Sequence, residues 1–246
     1  MPSSSHRPRK RFGQHFLHDP RVLARIVDAI APAPGDFMVE IGPGEGALTR
    51  LLLGRVRELH VVELDRDLAA RLRAESPGGL HVHEADALDF DFASFPEGMR
   101  VVGNLPYNIS TPLLFHLSQQ AGRVRDLHFM LQKEVVARMV ASPSTPAYGR
   151  LSVSLQARFR MARLFDVAPG AFRPPPKVNS SVVRMRPLEQ PLAIDEDVLR
   201  RAFSARRKTL RNALPEVDFS SLGLDSGLRP ENLSPADYAR ISARAR

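Results

Sequence analysis

Apolar positions along the chain follow two rhythms in alternation. Val22, Leu23, Ile26, Val27 and Ile30 recur at helical spacing behind Asp19-Pro20, a capping residue followed by a proline suited to a first helical turn, and Pro32 and Pro34 end the run. Short apolar stretches at 37–41, 60–64, 80–84, 100–102 and 126–131 then predict strands, and 48–53, 67–74 and 111–118 predict helices between most of them. Strand–helix alternation at this interval predicts an α/β domain with a parallel, doubly wound sheet. Residues 134–140 and 151–159 predict two further helices, and 164–167 and 180–185 predict closing strands, read as an antiparallel pair. Past Pro187 the rhythm changes: 195–246 carries no strand pattern, only short helical pieces broken by Pro215, Gly223, Gly227, Pro230 and Pro235. The divisions expected are a flexible basic arm over 1–11, the α/β domain over 12–187 and a small all-helical domain over 188–246. There are no internal repeats.

Composition narrows the setting. With 246 residues, 43% of them hydrophobic, the chain is long enough to bury a substantial core. No run approaches the ~18 consecutive apolar residues of a membrane span, and the basic start has no apolar stretch behind it, as a secretory signal requires. Cysteine is absent, which excludes disulfides, cysteine-held zinc and thiol catalysis. A cytoplasmic protein without membrane contact is expected. The net charge of +8 and isoelectric point of about 10.6 favour a polyanionic partner, because neutralising phosphates releases condensed counterions. Lysine occurs only at 10, 133, 177 and 208, so an arginine-rich compositional bias contributes to that charge.

The chemistry begins at Val39-Glu40-Ile41-Gly42-Pro43-Gly44-Glu45-Gly46, a strand running into glycines just before a helix. Gly42 and Gly44 let the backbone approach a ligand at the carboxyl edge of the sheet, where open α/β folds bind. The spacing G-x-G-x-G is one residue shorter than the dinucleotide fingerprint, and alone it could be a turn without a ligand. Two acids extend it. Glu63 ends the second strand, where a carboxylate can accept from both ribose hydroxyls; Asp86 ends the third, where one can accept from an adenine amine. The trio fits a nucleoside ligand held without phosphate contacts, such as S-adenosylmethionine. A nicotinamide dehydrogenase is the competing reading.

At the end of the fourth strand stands Asn104-Leu105-Pro106-Tyr107. The exocyclic amine of adenine is a poor nucleophile because its lone pair is delocalised into the ring. Acceptors for both of its hydrogens draw the nitrogen towards tetrahedral geometry. The Asn104 carbonyl can supply one, and a carbonyl of the Pro106-stiffened loop the other, since proline biases Leu105 to an extended backbone. Tyr107 offers a face for the base. No base is needed before attack, so rate would come from positioning and electrostatics. The alternative is a turn with a core tyrosine. In Ala171-Phe172-Arg-Pro-Pro-Pro-Lys177, stiff prolines could hold Phe172 opposite Tyr107, across an unstacked base; a hydrophobic plug is the alternative there. Arg206, Arg207, Lys208 and Arg211 are candidate contacts to RNA backbone, or a solvated helix face. The eight histidines show no ligand spacing, and no metal is expected.

Seven segments together resemble one family, the small-subunit (16S) ribosomal RNA adenine N6,N6-dimethyltransferases of the kasugamycin-related type. They are Lys10-Arg-Phe-Gly-Gln-His-Phe-Leu17, Glu40-Ile-Gly-Pro-Gly44, Val62-Glu-Leu-Asp-Arg-Asp-Leu68, Gly103-Asn-Leu-Pro-Tyr-Asn-Ile-Ser-Thr-Pro112, Met130-Leu-Gln-Lys-Glu-Val-Val136, Phe172-Arg-Pro-Pro-Pro-Lys-Val178 and Phe203-Ser-Ala-Arg-Arg-Lys-Thr-Leu-Arg211. The resemblance implies a class I, Rossmann-like methyltransferase fold with a seven-stranded, mostly parallel sheet and a C-terminal helical domain. It implies S-adenosylmethionine as cofactor and transfer of four methyl groups to two adjacent adenines in a hairpin near the 3′ end of 16S rRNA. It also implies a role in late small-subunit assembly, with a monomer expected. By the family pattern His15, Leu17, Gly42, Glu63, Asp86 and Asn104 contact the cofactor. His15 departs from it, for the family usually has Asn there. Within the same fold a large-subunit rRNA adenine methyltransferase of the antibiotic-resistance type is the rival, and a mainly non-catalytic assembly factor is another.

Overall fold

The computed structural model describes residues 14–75 and 78–244, so the basic arm over 1–11 lies outside the described residues. The first elements are β1 (Phe16–Leu17), α1 (Pro20–Ile30), β2 (Met38–Ile41), α2 (Ala47–Leu53), β3 (Leu59–Glu63), α3 (Arg66–Glu75), β4 (Leu80–Glu84), β5 (Met99–Asn104), α4 (Ser110–Ser118) and β6 (Val124–Gln132). They are followed by α5 (Lys133–Met139), α6 (Arg150–Gln156), β7 (Phe159–Val167), β8 (Phe172–Arg173) and β9 (Ser180–Pro187), and then by α7 (Glu196–Ser204), α8 (Leu210–Ala213) and α9 (Pro235–Arg244).

Seven strands form one sheet in the order β4-β3-β2-β5-β6-β9-β7. The pairs β3/β4, β2/β3, β2/β5 and β5/β6 are parallel, and β9 runs antiparallel to β6. This is the Rossmann-like methyltransferase architecture, a mostly parallel sheet with helices around it. The strand order reverses direction between β2 and β5, which opens a crevice at the carboxyl ends of these two strands.

Local signals explain how α1 is set. Asp19 accepts from the N–H groups of Arg21 (2.8 Å) and Val22 (3.3 Å), and Leu23, Ile26, Val27 and Ile30 are buried as one stripe. At the other end Arg100, 4% exposed on β5, donates to the Ile30 carbonyl (2.5 Å) and the Ala31 carbonyl (3.2 Å). It also pairs with Asp36 (2.6 Å) and Asp126 (2.9 Å). A buried guanidinium satisfied on all sides ties this helix to the sheet, and removing one partner would leave a charge stranded.

Contacts divide the chain into two units: residues up to Val136 with Ala162–Arg186, and Ala137–Met161 with the chain from Pro187 onward. This corrects the continuous boundary expected at 187. Tyr148 and Val153, from the segment expected in the α/β domain, share an apolar core with Val198, Leu199, Leu210, Tyr238 and Ile241. The Tyr148 hydroxyl donates to the Leu233 carbonyl at 2.9 Å. The apolar stripe of α6 is buried by helices distant in sequence, a pairing that periodicity alone does not specify. Phe159 starts β7 rather than ending α6, since Ala157 already closes that helix with its N–H on Val153 and Leu155. Pro235 opens α9 rather than breaking a helix: Asp237 Oδ2 accepts from the Ser234 N–H and hydroxyl, and Ser234 Oγ accepts from the Asp237 N–H. Among the described residues no helix is long and apolar enough to cross a membrane.

Candidate active site

A cleft at the carboxyl ends of β2, β3 and β5 is lined by Gly42, Gly44, Glu63, Asp86 and Asn104, with His15 and Leu17 closing one side. Two glycines make its floor possible. Gly44 lies at φ +57°, and a Cβ there would meet the Phe16 ring at 2.9 Å; a Cβ on Gly103 would come within 2.4 Å of the Ile41 carbonyl oxygen.

The carboxylates are already organised. Glu63, 6% exposed, accepts from the Asp65 N–H through Oε1 (2.8 Å) and from the Gly44 N–H through Oε2 (3.1 Å). Burial nevertheless pushes its carboxyl above the ordinary range. Each oxygen keeps a further lone pair for an incoming hydroxyl. Because the Gly44 amide already serves a carboxylate, this turn is a poor seat for a phosphate. That argues for a nucleoside ligand and against a dinucleotide. Asp86 lines the same cleft, its Oδ1 accepting from the Leu88 N–H at 2.9 Å.

Glu40 also lines the cleft and was not singled out from the sequence. It is 2% exposed, accepts from Thr49 Oγ1 at 2.7 Å, and burial drives its carboxyl up to about 7, helped by the neighbouring Glu63 charge. The available signal was an acid in the middle of a strand whose other residues are apolar.

The Asn104-to-Tyr107 loop faces the same cleft. Asn104 Nδ2 donates to the His15 carbonyl at 2.9 Å, which assigns the other end of the amide, Oδ1, as the free acceptor. The Leu105 N–H donates to the Met130 carbonyl at 3.2 Å while its side chain is buried; among the described residues no backbone N–H reaches the Leu105 carbonyl. Pro106 accepts from the Ile109 N–H at 3.3 Å, closing a tight turn. Tyr107 is half-buried, its hydroxyl sharing a 2.6 Å bond with Ser180 Oγ, and burial raises the phenol's pKa, so it stays protonated. His15 Nδ1 lies 2.8 Å from the Pro174 carbonyl. A carbonyl only accepts, so Nδ1 carries the hydrogen. The His15 side chain is thus engaged by the loop while its backbone carbonyl holds Asn104.

Phe172 is a correction. Expected to stack a base opposite Tyr107, it is 2% exposed in the apolar core shared with Leu17, Leu23 and Ile26, and it does not line the cleft. Its register partner is Leu17, through an antiparallel pairing of β1 with β8. The ring is buried in the core on the side of the strand pair that Leu17 also faces.

In the second unit Arg206, Arg207 and Lys208 occupy the turn after α7, and Arg211 is the second residue of α8, so they do not share one helical face. Arg206 is engaged by the Pro146 carbonyl (3.2 Å) and Glu231 (3.6 Å), whereas Arg207, Lys208 and Arg211 are exposed. Away from the cleft, β3 and β4 bring Glu58, His60 and His81 together, their ligand-type atoms within 4.8 Å of one another, a grouping that linear spacing did not show. The His60 and His81 rings stack at 4.6 Å and 16°, so their in-plane lone pairs run side by side rather than converge.

Comparison with known proteins gives a consistent picture. The family description "Ribosomal RNA adenine dimethylase" matches residues 5–245. The ribosomal RNA small subunit methyltransferase A of Aromatoleum aromaticum is 63% identical over 250 residues, covering 97% of this chain and 94% of the relative. The protein of that name from Nitrosospira multiformis is 58% identical, covering 96% of each. Among solved structures, a dimethyladenosine transferase from Plasmodium falciparum superposes with a TM-score of 0.80 at 26% identity, covering 94% of this chain and 97% of that one. The 23S rRNA methyltransferase ErmE gives 0.72 at 27% identity, covering 93% and 98%.

Proposed function

The chain belongs to the ribosomal RNA adenine dimethylase family, and from that membership and the cleft we propose its substrate, cofactor and working residues. It dimethylates N6 of two adjacent adenines in the 3′-terminal hairpin loop of 16S rRNA, in the cytoplasm, within the small subunit late in its assembly. The observation that carries this reading is the Asn104 amide, held by its nitrogen end on the His15 carbonyl so that its oxygen is presented as an acceptor in a nucleoside-binding cleft.

S-adenosylmethionine, when bound, supplies a methyl group made electrophilic by its sulfonium. The residues present fit it: a glycine floor that a Cβ would fill, and carboxylates rather than phosphate-binding amides. Glu63 is placed to accept from ribose hydroxyls and Asp86 from the adenine amine, with Gly42, Gly44, Leu17 and His15 walling the site. Towards the target adenine, Asn104 Oδ1 and a loop carbonyl at Leu105 or Pro106 accept the two N6 hydrogens. This localises the lone pair on nitrogen as the new bond forms. The Tyr107 face supports the base. The amine becomes acidic only on gaining the methyl group, so its proton leaves afterwards, to water, and breaking of the S–CH3 bond leaves the cofactor as a neutral thioether.

RNA backbone contacts belong to Arg207, Lys208 and Arg211, with Arg206 contributing less because Glu231 already faces it. Neutralising the three should flatten the salt dependence of subunit binding by roughly 0.9 per lost phosphate contact, on the duplex scale. An unchanged slope would return them to a solvated surface.

The identity of the small-subunit relatives favours the 16S substrate over the 23S substrate carried in the name of ErmE. The deciding experiment incubates the protein and labelled S-adenosylmethionine with unmethylated small subunits and, separately, large subunits. N6,N6-dimethyladenosine in small-subunit RNA alone is expected. Label confined to the large subunit, or none in adenine, overturns the reading.

A further inference from the structure

Tyr107 is anchored by a residue outside the cleft. Its hydroxyl bonds Ser180 Oγ at 2.6 Å, and Ser180 is fully buried at the first position of β9. Sheet register explains the meeting. Asn104 on β5 stands beside Met130 on β6, Met130 faces Val182 on β9, and Ser180 faces Gln132, two residues further along. Ser180 therefore sits just past the level at which β5 ends, where the loop carrying Tyr107 begins. From another side the His15 ring lies 5.5 Å from the Tyr107 ring, centroid to centroid, tilted by 32°.

An aromatic platform held only by its Cα can turn about two side-chain torsions and must be ordered when the base arrives. One tethered at its far tip has its plane set in advance, so that ordering does not fall on the reacting complex. Resting on the placement of Tyr107 against the target base, we propose that Ser180 is a positioning residue for methyl transfer, fixing the Tyr107 ring through its hydroxyl. On this account the hydroxyl matters as well as the ring, although sequence alone assigns Tyr107 only a flat face. Ser180 touches neither substrate nor cofactor and acts through Tyr107.

The same bond could serve only stability, and a double-mutant cycle separates the two roles. Tyr107→Phe and Ser180→Ala each leave one buried hydroxyl without its partner, whereas the double variant removes both and should regain most of the lost stability. Thermal melting, S-adenosylmethionine affinity and single-turnover rate on saturating unmethylated small subunits are measured for all four proteins. The expected result is a rate about tenfold below the parent in each single variant, cofactor affinity unchanged, and in the double variant a recovered melting temperature with the rate still depressed. Parental rates in either single variant, or a rate that recovers together with the melting temperature, would overturn the proposal while leaving the functional reading intact. Failure of the parent itself to label adenine would overturn both.

Discussion

The two halves of the cleft are built differently. The half formed by β2, β3 and β4 holds its groups through near neighbours: Glu63 is fastened by Asp65 and Gly44, Glu40 by Thr49, and Asp86 by Leu88. The half formed by the Asn104–Tyr107 loop holds its groups through distant chain, Asn104 through His15, 89 positions away, and Tyr107 through Ser180, 73 positions away. A nucleoside cradle can be set by one strand-turn-helix unit and its neighbour. On the function proposed for it, the Asn104–Tyr107 half aims an acceptor at a reacting nitrogen, and its walls come from elements that meet only in the finished fold.

That contrast can be broken most sharply at Asn104. Asn104→Ala should depress single-turnover methyl transfer about a hundredfold, on the order of 3 kcal/mol for one preorganised transition-state contact. Folding and subunit binding should hold, since the His15 carbonyl can turn to water. A parental rate would remove this loop from the chemistry.

Glu63 probes the cradle. Glu63→Ala should weaken S-adenosylmethionine binding at least tenfold in calorimetry, each charge-assisted bond contributing ~1.5–3 kcal/mol before water restores part of it. Glu63→Gln should be scarcely better, because its amide nitrogen must face the N–H of either Gly44 or Asp65. An affinity preserved in both variants would show that the carboxylate serves only the loop.

The smallest effect is expected from Glu40 and appears as a pH dependence of stability. Its carboxyl titrates near 4.5 when free and at about 7 in the fold. Between those values the native state keeps a proton that the unfolded chain has lost. The group's contribution is therefore fully present below the lower value and is lost as pH rises through the upper one. Glu40→Gln should melt progressively higher relative to the parent as pH rises from 5 to 8, by on the order of 1–2 kcal/mol once hydration of the cleft is allowed for. A parent–variant difference independent of pH would mean that Glu40 is ionised throughout.

Much of the fold is legible because its signals are local. The stripe of α1, its Asp19 cap and the apolar runs of β2 to β6 are properties of neighbouring residues, and element ends fall within about two residues of expectation for most of them. The glycine turn, Glu63, Asp86 and Asn104 are likewise positioned by where their strands end, and strand ends are written in the sequence. What escapes depends on pairing across the chain. The two-residue pairing of β1 with β8 is too short to have a period, and it turns Phe172 inward. Burial of Tyr148 and Val153 against α7 and α9 moves residues 137–161 out of the unit their position suggests.

Sequence by itself therefore determined the doubly wound sheet, the glycine turn and acids at its carboxyl edge and the residues of the Asn104–Tyr107 loop for which methyl transfer is proposed, because each follows from short-range periodicity and chemistry. Only the tertiary structure decided that His15 orients Asn104, that Ser180 bonds Tyr107 and that burial pushes the Glu40 carboxyl up to about 7. Those three properties arise from register between non-adjacent strands and from desolvation, which no residue possesses until the chain has closed around it.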